Sequence, residues 1–196
     1  MHIQFSGKFN RRMVTIHPGE FYATTEDEII ATVLGSCIAV ALFDRGTGVG
    51  GLNHFMLPGS LGKNQFFTSG SGKYGMYAME LLINDLLKAG ARRPSLRAKV
   101  FGGGSVLRAG PAGGGKSIPQ SNIDFAMEFL KTEGIPIDSS DTGGVNARKI
   151  LFFPLSTQVM LKRLGTTGRS AVEHEEEEYL AKLQTNRPKS GEAEML

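Results

Sequence analysis

The chain has one cysteine, Cys37, directly after Gly35-Ser36, and His54 follows 17 residues later. A thiol and an imidazole held within reach of each other are the minimal parts of a cysteine nucleophile with its base. The residues between them suit a hairpin. Ile38 to Phe43 is a short, partly β-branched apolar run, Asp44-Arg45-Gly46-Thr47-Gly48 has turn composition, and Val49 to Phe55 is a second apolar segment. An antiparallel return would fold His54 back toward Cys37. Gly35-Ser36 permits a tight bend with free backbone N–H groups around the thiol, donors that would favour the thiolate and hold an oxyanion. Thr32 is a third polar group, placed to orient the imidazole. The pairing predicts a thiol that titrates below its ordinary value of about 8.5. The competing structural readings are a buried inert cysteine, a hydrogen-bonded core histidine and a β-branched strand residue at Thr32. His17 lies at the Pro18-Gly19 turn, outside the hairpin, and is not expected to be catalytic.

Several elements must position these groups. Met1 to Ser6 is a strand or disordered, and Met13 to Phe21 reads as a short strand ended by Pro18-Gly19. Ile29 to Leu34 suits a buried strand leading into Gly35-Ser36. Gly59 to Ser71 is a polar, Gly-rich loop exposing Phe66 and Phe67. Met76, Met79, Leu82, Ile83, Leu86 and Leu87 recur at three and four residues, an amphipathic helix closed near Gly90. Leu96 to Phe101 alternates like a half-buried strand and runs into Gly102-Gly103-Gly104, where bare backbone allows close approach of a neighbouring loop or a substrate. A second helix starts at Ser121-Asn122 and closes at Gly134. Ile135 to Ile137 is a short extended piece, Asp141 to Gly144 a turn, and Lys149 to Phe153 a strand stopped by Pro154. Gln158 to Leu164 is a last strand or helix. Residues 1–164 read as a single domain and 165–196 as a charged tail, partly helical or disordered. An exposed helix is expected over Glu173 to Lys182, packing little on the body.

Composition narrows the classes. The chain has 196 residues, enough for a sizeable core, with 40% apolar and 21% charged residues. Glycine, at 26 residues, is about twice its usual share. One cysteine excludes an intramolecular disulfide, and with four scattered histidines it argues against a zinc site, so no metal and no cofactor are expected. No apolar run is long enough for a membrane span or a secretory signal, so the chain reads as cytoplasmic, without membrane insertion. The net charge of +3 divides into a body of +6 and a tail of −3. The body lacks the dense basic stripe and interleaved aromatics of a nucleic-acid binder. Gly110 to Ser117 matches the phosphate-loop pattern G-x-x-x-x-G-K-[ST], with Lys116 as its lysine. The segment before it is a poor strand, Pro119 follows closely, and no later strand ends in a magnesium-holding Asp. The segment reads as a flexible loop.

Leu34-Gly35-Ser36-Cys37, together with His54 in Asn53-His54-Phe55-Met56-Leu57-Pro58, resembles the chemoreceptor glutamine deamidases, the CheD family. The resemblance continues through Lys73-Tyr74-Gly75, Lys99 to Gly104, Asn122-Ile123, Glu133 to Ile137, Asp141 to Gly144 and Arg148 to Phe152, covering about Gly19 to Leu164. It implies an α/β fold, a layered sandwich of mixed β-sheets packed with two main helices, resembling toxin-type deamidases. It implies a Cys-His-Thr site with Cys37 as nucleophile, His54 as base and Thr32 as the orienting group. Gly35 and Ser36 are the expected oxyanion and substrate loop. The expected reaction converts glutamines on the cytoplasmic helical domain of chemotaxis receptors to glutamate, through a thioester, with a CheC-type phosphatase as a further partner where an organism has one. Two other classes stand beside it: a regulatory binding module of the chemotaxis system, and a nucleotide hydrolase using Lys116.

Overall fold

The apolar run after Cys37 has both of its faces covered, and this decides the layering. Strand β5, Ile38–Asp44, is buried at every residue. Side chains alternate across a strand. Ile38, Val40 and Leu42 belong to a core shared with two helices, whereas Cys37, Ala39, Ala41 and Phe43 face a second sheet. In chain order the strands before it are β1 (His2–Ser6), β2 (Arg11–Thr15), β3 (Phe21–Thr24) and β4 (Ile29–Leu34). After it come β6 (Val49–Asn53), helix α1 (Gly70–Lys88), β7 (Arg97–Gly102), α2 (Ile118–Thr132), β8 (Ile137–Thr142), β9 (Arg148–Phe153), β10 (Gln158–Arg163) and α3 (Thr166–Thr185). The computed structural model describes residues 1–59, 68–106 and 117–185, with 166–169 as backbone only.

The strands form two five-stranded mixed sheets, one in the order β1-β2-β4-β9-β10 and one in the order β3-β6-β5-β7-β8. Each contains one parallel pair, β2 with β4 and β7 with β8. The fold is therefore α/β, with the first sheet, the second sheet, and α1 with α2 stacked as three layers. Between the sheets lie Val14, Ile30, Leu34, Leu52, Ile150 and Phe152. On the far side of the second sheet, Met79, Leu82 and Leu86 of α1 and Phe125, Phe129 and Leu130 of α2 pack on β5 and β7.

Several boundaries differ from the sequence reading for identifiable reasons. Helix α2 begins at Ile118, not at Ser121, because Ser117 caps it and Pro119 sits in the first turn, where its missing N–H costs no bond. Helix α1 begins at Gly70, capped by the Ser69 side chain on Gly72 N–H. Strand β8 includes Asp141 and Thr142, expected as a turn. It is a polar edge strand, so it shows no apolar alternation. Phe66, Phe67, Lys116 and residues 186–196 lie outside the described residues.

Candidate active site

The hairpin brings Cys37 and His54 to one face. Strands β5 and β6 pair antiparallel with Ala41 opposite Leu52, and the pairing extends to a bridge between Ile38 and Phe55. Ile38 and Phe55 exchange both backbone bonds at 2.9 Å. In this register His54 lies opposite Ala39, two residues from Cys37 and on its side of the sheet. Phe55 points to the other side, into the helical core. Cys37 Sγ and a ring nitrogen of His54 lie within 4.8 Å of each other.

Thr32 arrives from the opposite sheet. In β4, Ile30 and Leu34 face the inter-sheet core, so Thr32 between them does too, while Ala31 faces outward with Met13 and Ile29. The Thr32 hydroxyl donates to the Ile16 carbonyl at 2.8 Å and lies 2.8 Å from His54 Nδ1. A hydroxyl has one proton, and this one is engaged by Ile16. Thr32 Oγ1 therefore accepts from His54 Nδ1–H, which fixes the tautomer and leaves Nε2 as the basic nitrogen. Among the described residues, His54 Nε2 is buried and has no hydrogen-bond partner. Buried orphaned acceptors are rare, and this one belongs to the group that could take the thiol proton.

The loop holding Cys37 is gripped from two sides. Asn122, buried in α2, donates from Nδ2 to the Ser36 carbonyl and accepts from Leu57 N–H, both at 2.8 Å. The chain after β7 supplies the other grip: Gly103 N–H donates to the Cys37 carbonyl at 2.7 Å and Gly104 N–H to the Gly35 carbonyl at 2.6 Å. Gly102 has φ +117°, and a Cβ there would overlap the Cys37 carbonyl oxygen. The three glycines thus admit a neighbouring loop, the one carrying the thiol. Arg148, also buried, reaches the Gly102 carbonyl at 2.7 Å and fixes this turn from below.

The N–H groups at the bend are occupied. Glu176 of α3 accepts from Gly35 N–H at 2.9 Å, Cys37 N–H at 3.0 Å, and both Ser36 N–H and Oγ–H at 2.7 Å. The sequence reading had the tail packing little on the body. Instead Val172 and Glu176 are buried, with Val172 beside Val106 and Ala147. The acidic run Glu173 to Glu178 hid this, because nothing in its composition tells the buried acid from its exposed neighbours. The available signal was spacing: Val172, Glu176 and Tyr179 lie at four and three residues, one face of a helix.

Electrostatics follow from this closure. Burial pushes the Cys37 thiol well above its ordinary value, and the adjacent Glu176 carboxylate raises it further. Burial, assisted by His17, pushes His54 down to about 3. The expected depressed thiol is therefore not found in this arrangement. The donors that would favour a thiolate are engaged by a carboxylate, and the pair is neutral thiol and neutral imidazole. His17 is apart from the pair, with Nδ1 2.8 Å from Glu175 on exposed α3 surface.

Cys37, His54 and Glu176 offer one sulfur, one nitrogen and one oxygen within 4.8 Å of one another, donor types that suit zinc. A carboxylate has about four acceptor positions, and four donors already take those of Glu176. An ion could use it only by displacing the bonds that dock α3.

A family model for CheD chemotactic sensory transduction matches residues 56–163. The "Probable chemoreceptor glutamine deamidase CheD" of Herminiimonas arsenicoxydans is 46% identical over 184 residues, 94% of this chain and 89% of that protein. This chain belongs to the CheD family. A protein of the same name from Janthinobacterium sp. (strain Marseille) is 44% identical over 193 residues, covering 98% of this chain and 93% of its own. Among solved structures, the Bacillus licheniformis hypothetical protein YfiH aligns over 62% of this chain and 49% of its own at a TM-score of 0.40 and 15% identity. Among the described residues, no helix is long and apolar enough to cross a membrane.

Proposed function

We propose that this CheD-family chain hydrolyses the side-chain carboxamide of glutamines on chemotaxis receptors, giving glutamate and ammonia. The observation that carries the reading is the convergence of the Cys37 thiol, the free Nε2 of a Thr32-oriented His54 and the N–H groups of Gly35, Ser36 and Cys37. The names of the relatives supply the substrate. Gly35, Ser36 and Cys37 would form the oxyanion site, as donors that already hold a carboxylate can hold the oxyanion of an attacked amide.

The steps follow from these groups. His54 Nε2 takes the Cys37 proton as sulfur bonds to the carboxamide carbon, and the new oxyanion is held by the bend. The C–N bond breaks with the proton passing from His54 to the departing ammonia, leaving a thioester. Water then gives a proton to His54 and adds to the thioester carbon. The sulfur leaves and recovers its proton, and glutamate is released. No cofactor enters. The same reading takes the cytoplasm as the place of action, the receptors' helical domain as substrate, the toxin-type deamidases as relatives of the site and a CheC-type phosphatase as a further partner.

The test is ammonia release and the Gln→Glu mass change in a receptor cytoplasmic fragment, for wild type and Cys37→Ser. Wild type should convert specific glutamines and the near-isosteric Ser variant should lose the activity while melting as wild type does. Equal turnover by the Ser variant would make the thiol structural and remove this mechanism.

A further inference from the structure

Glu176 resembles a product left in the site. Hydrolysis of a glutamine side chain yields a glutamate carboxylate, and here a glutamate carboxylate rests on the Gly35, Ser36 and Cys37 N–H groups, within 4.8 Å of the thiol. It arrives on a helix, as the substrate of the proposed reaction does. Three further contacts seat that helix. Val172, four residues before Glu176, lies beside Val106 and Ala147. Tyr179, three residues after it, shares a short hydroxyl–hydroxyl bond with Tyr74 and lies against Gly19. Glu175 Oε1 lies 2.8 Å from His17 Nδ1. The surface beneath is shaped for such a guest: a Cβ on Gly35 would come within 2.8 Å of the Glu176 carboxylate and 3.0 Å of Val172.

We propose that the groove over Cys37 is a helix-binding surface and that α3 occupies it as a built-in product analogue. The groove reads an apolar residue, a glutamine four positions on, and an aromatic hydroxyl three positions beyond that. The proposal rests on the deamidase reading for the identity of its guest. A receptor helix presenting its glutamine at the thiol and α3 presenting Glu176 there compete for the same donors, so the chain acts on an external helix only with α3 displaced. Helix α3 is suited to leave. Its residues average polar, its buried apolar contact among the described residues is confined to few side chains, and its central anchor is a set of hydrogen bonds that water or a substrate amide can replace.

The experiment uses the full chain. Iodoacetamide labelling of Cys37 is followed in wild type, Glu176→Ala and Tyr179→Ala, the last loosening α3 away from the thiol, with near-ultraviolet circular dichroism to establish that each is folded. Both variants should label at least about tenfold faster than wild type, equivalent to about 1.4 kcal/mol in the opening of α3. In Glu176→Gln the analogue becomes a substrate. Its carboxamide carbon is attacked by the Cys37 sulfur, ammonia leaves, and water restores a carboxylate, so the variant should gain the Gln→Glu mass over time. Combined with Cys37→Ala it should not. Folded Glu176→Ala and Tyr179→Ala proteins labelling at the wild-type rate, with the mass of Glu176→Gln constant over time, would overturn the proposal. Labelling needs no receptor. Fast labelling in the variants without conversion of any receptor glutamine by wild type or by the α3-loosened Tyr179→Ala protein would uphold the helix groove and remove the receptor reading.

Discussion

Replacing Thr32 by valine removes one oxygen and keeps the shape of the side chain. Thr32 is fully buried, and its hydroxyl makes two bonds of 2.8 Å, one to the Ile16 carbonyl and one with His54 Nδ1. The valine methyl can serve neither, so a buried carbonyl and a buried imidazole N–H lose their partner together. Each such group costs about 1–3 kcal/mol, so Thr32→Val should destabilise the fold by about 2–6 kcal/mol. A domain with about 5–15 kcal/mol of stability withstands most of that range, and turnover is read at a temperature where urea unfolding shows the variant folded. Without the hydroxyl, His54 is held neither in tautomer nor in orientation, and kcat for receptor-fragment deamidation should fall about 10²-fold, the scale of a misplaced reacting group. Thr32→Ser separates the causes. It keeps the hydroxyl and loses one methyl, about 1 kcal/mol, and should retain turnover within a few-fold. Urea unfolding and ammonia release on the three proteins give both numbers. A Thr32→Val protein as stable as wild type and equally active would refute the view that this hydroxyl orients the base.

Two further outcomes follow from the same geometry. In the folded chain His54 is pushed down to about 3, against about 6.5 when unfolded. The unfolded state therefore binds a proton below about pH 6.5 that the folded state refuses, and stability is complete above that pH and lost as the pH falls. At about pH 5 the loss due to His54 should be about 2 kcal/mol. His54→Gln should show a correspondingly smaller drop between about pH 7.5 and 5 in urea titrations, and an identical drop would place the effect elsewhere. Gly102→Ala puts a Cβ into the Cys37 carbonyl at a backbone angle unsuited to alanine. It should cost at least about 2 kcal/mol and slow deamidation by displacing the thiol, checked by thermal melting and ammonia release. A melting temperature within a degree of wild type would show that the loop relaxes freely.

The centre of this site was legible in the sequence because it is made by short-range rules. An apolar run, a Gly-containing turn and a second apolar run produce one hairpin, and one hairpin sets Cys37 and His54 on the same face. Thr32 was legible as well, through the alternation of β4 that turns Ile30, Thr32 and Leu34 the same way. The grips on the Cys37 loop were less so. Asn122 reads as a helix cap from its neighbours, and only tertiary packing shows it bridging Ser36 and Leu57. The triple glycine after β7 announced close approach without naming its guest. Glu176 was invisible, because its burial depends on matching one face of α3 to a bend 140 residues away, and charge runs default to solvent.

The depressed thiol pKa expected from the Cys37–His54 pair and the raised one found in the structure have a common origin. The expectation placed free N–H donors and a nearby imidazolium around the sulfur, both of which favour the thiolate. The observed state engages those donors with Glu176, sets a carboxylate beside the sulfur and buries the imidazole in neutral form. The engaged donors and the adjacent carboxylate are both brought by α3. Its departure frees three N–H groups and removes the adjacent negative charge, and each change lowers the energy of the thiolate. If α3 is a displaceable product analogue, a reactive cysteine belongs to the open groove and a masked one to the groove holding α3. A substrate helix that displaces Glu176 would then activate the nucleophile in the act of binding.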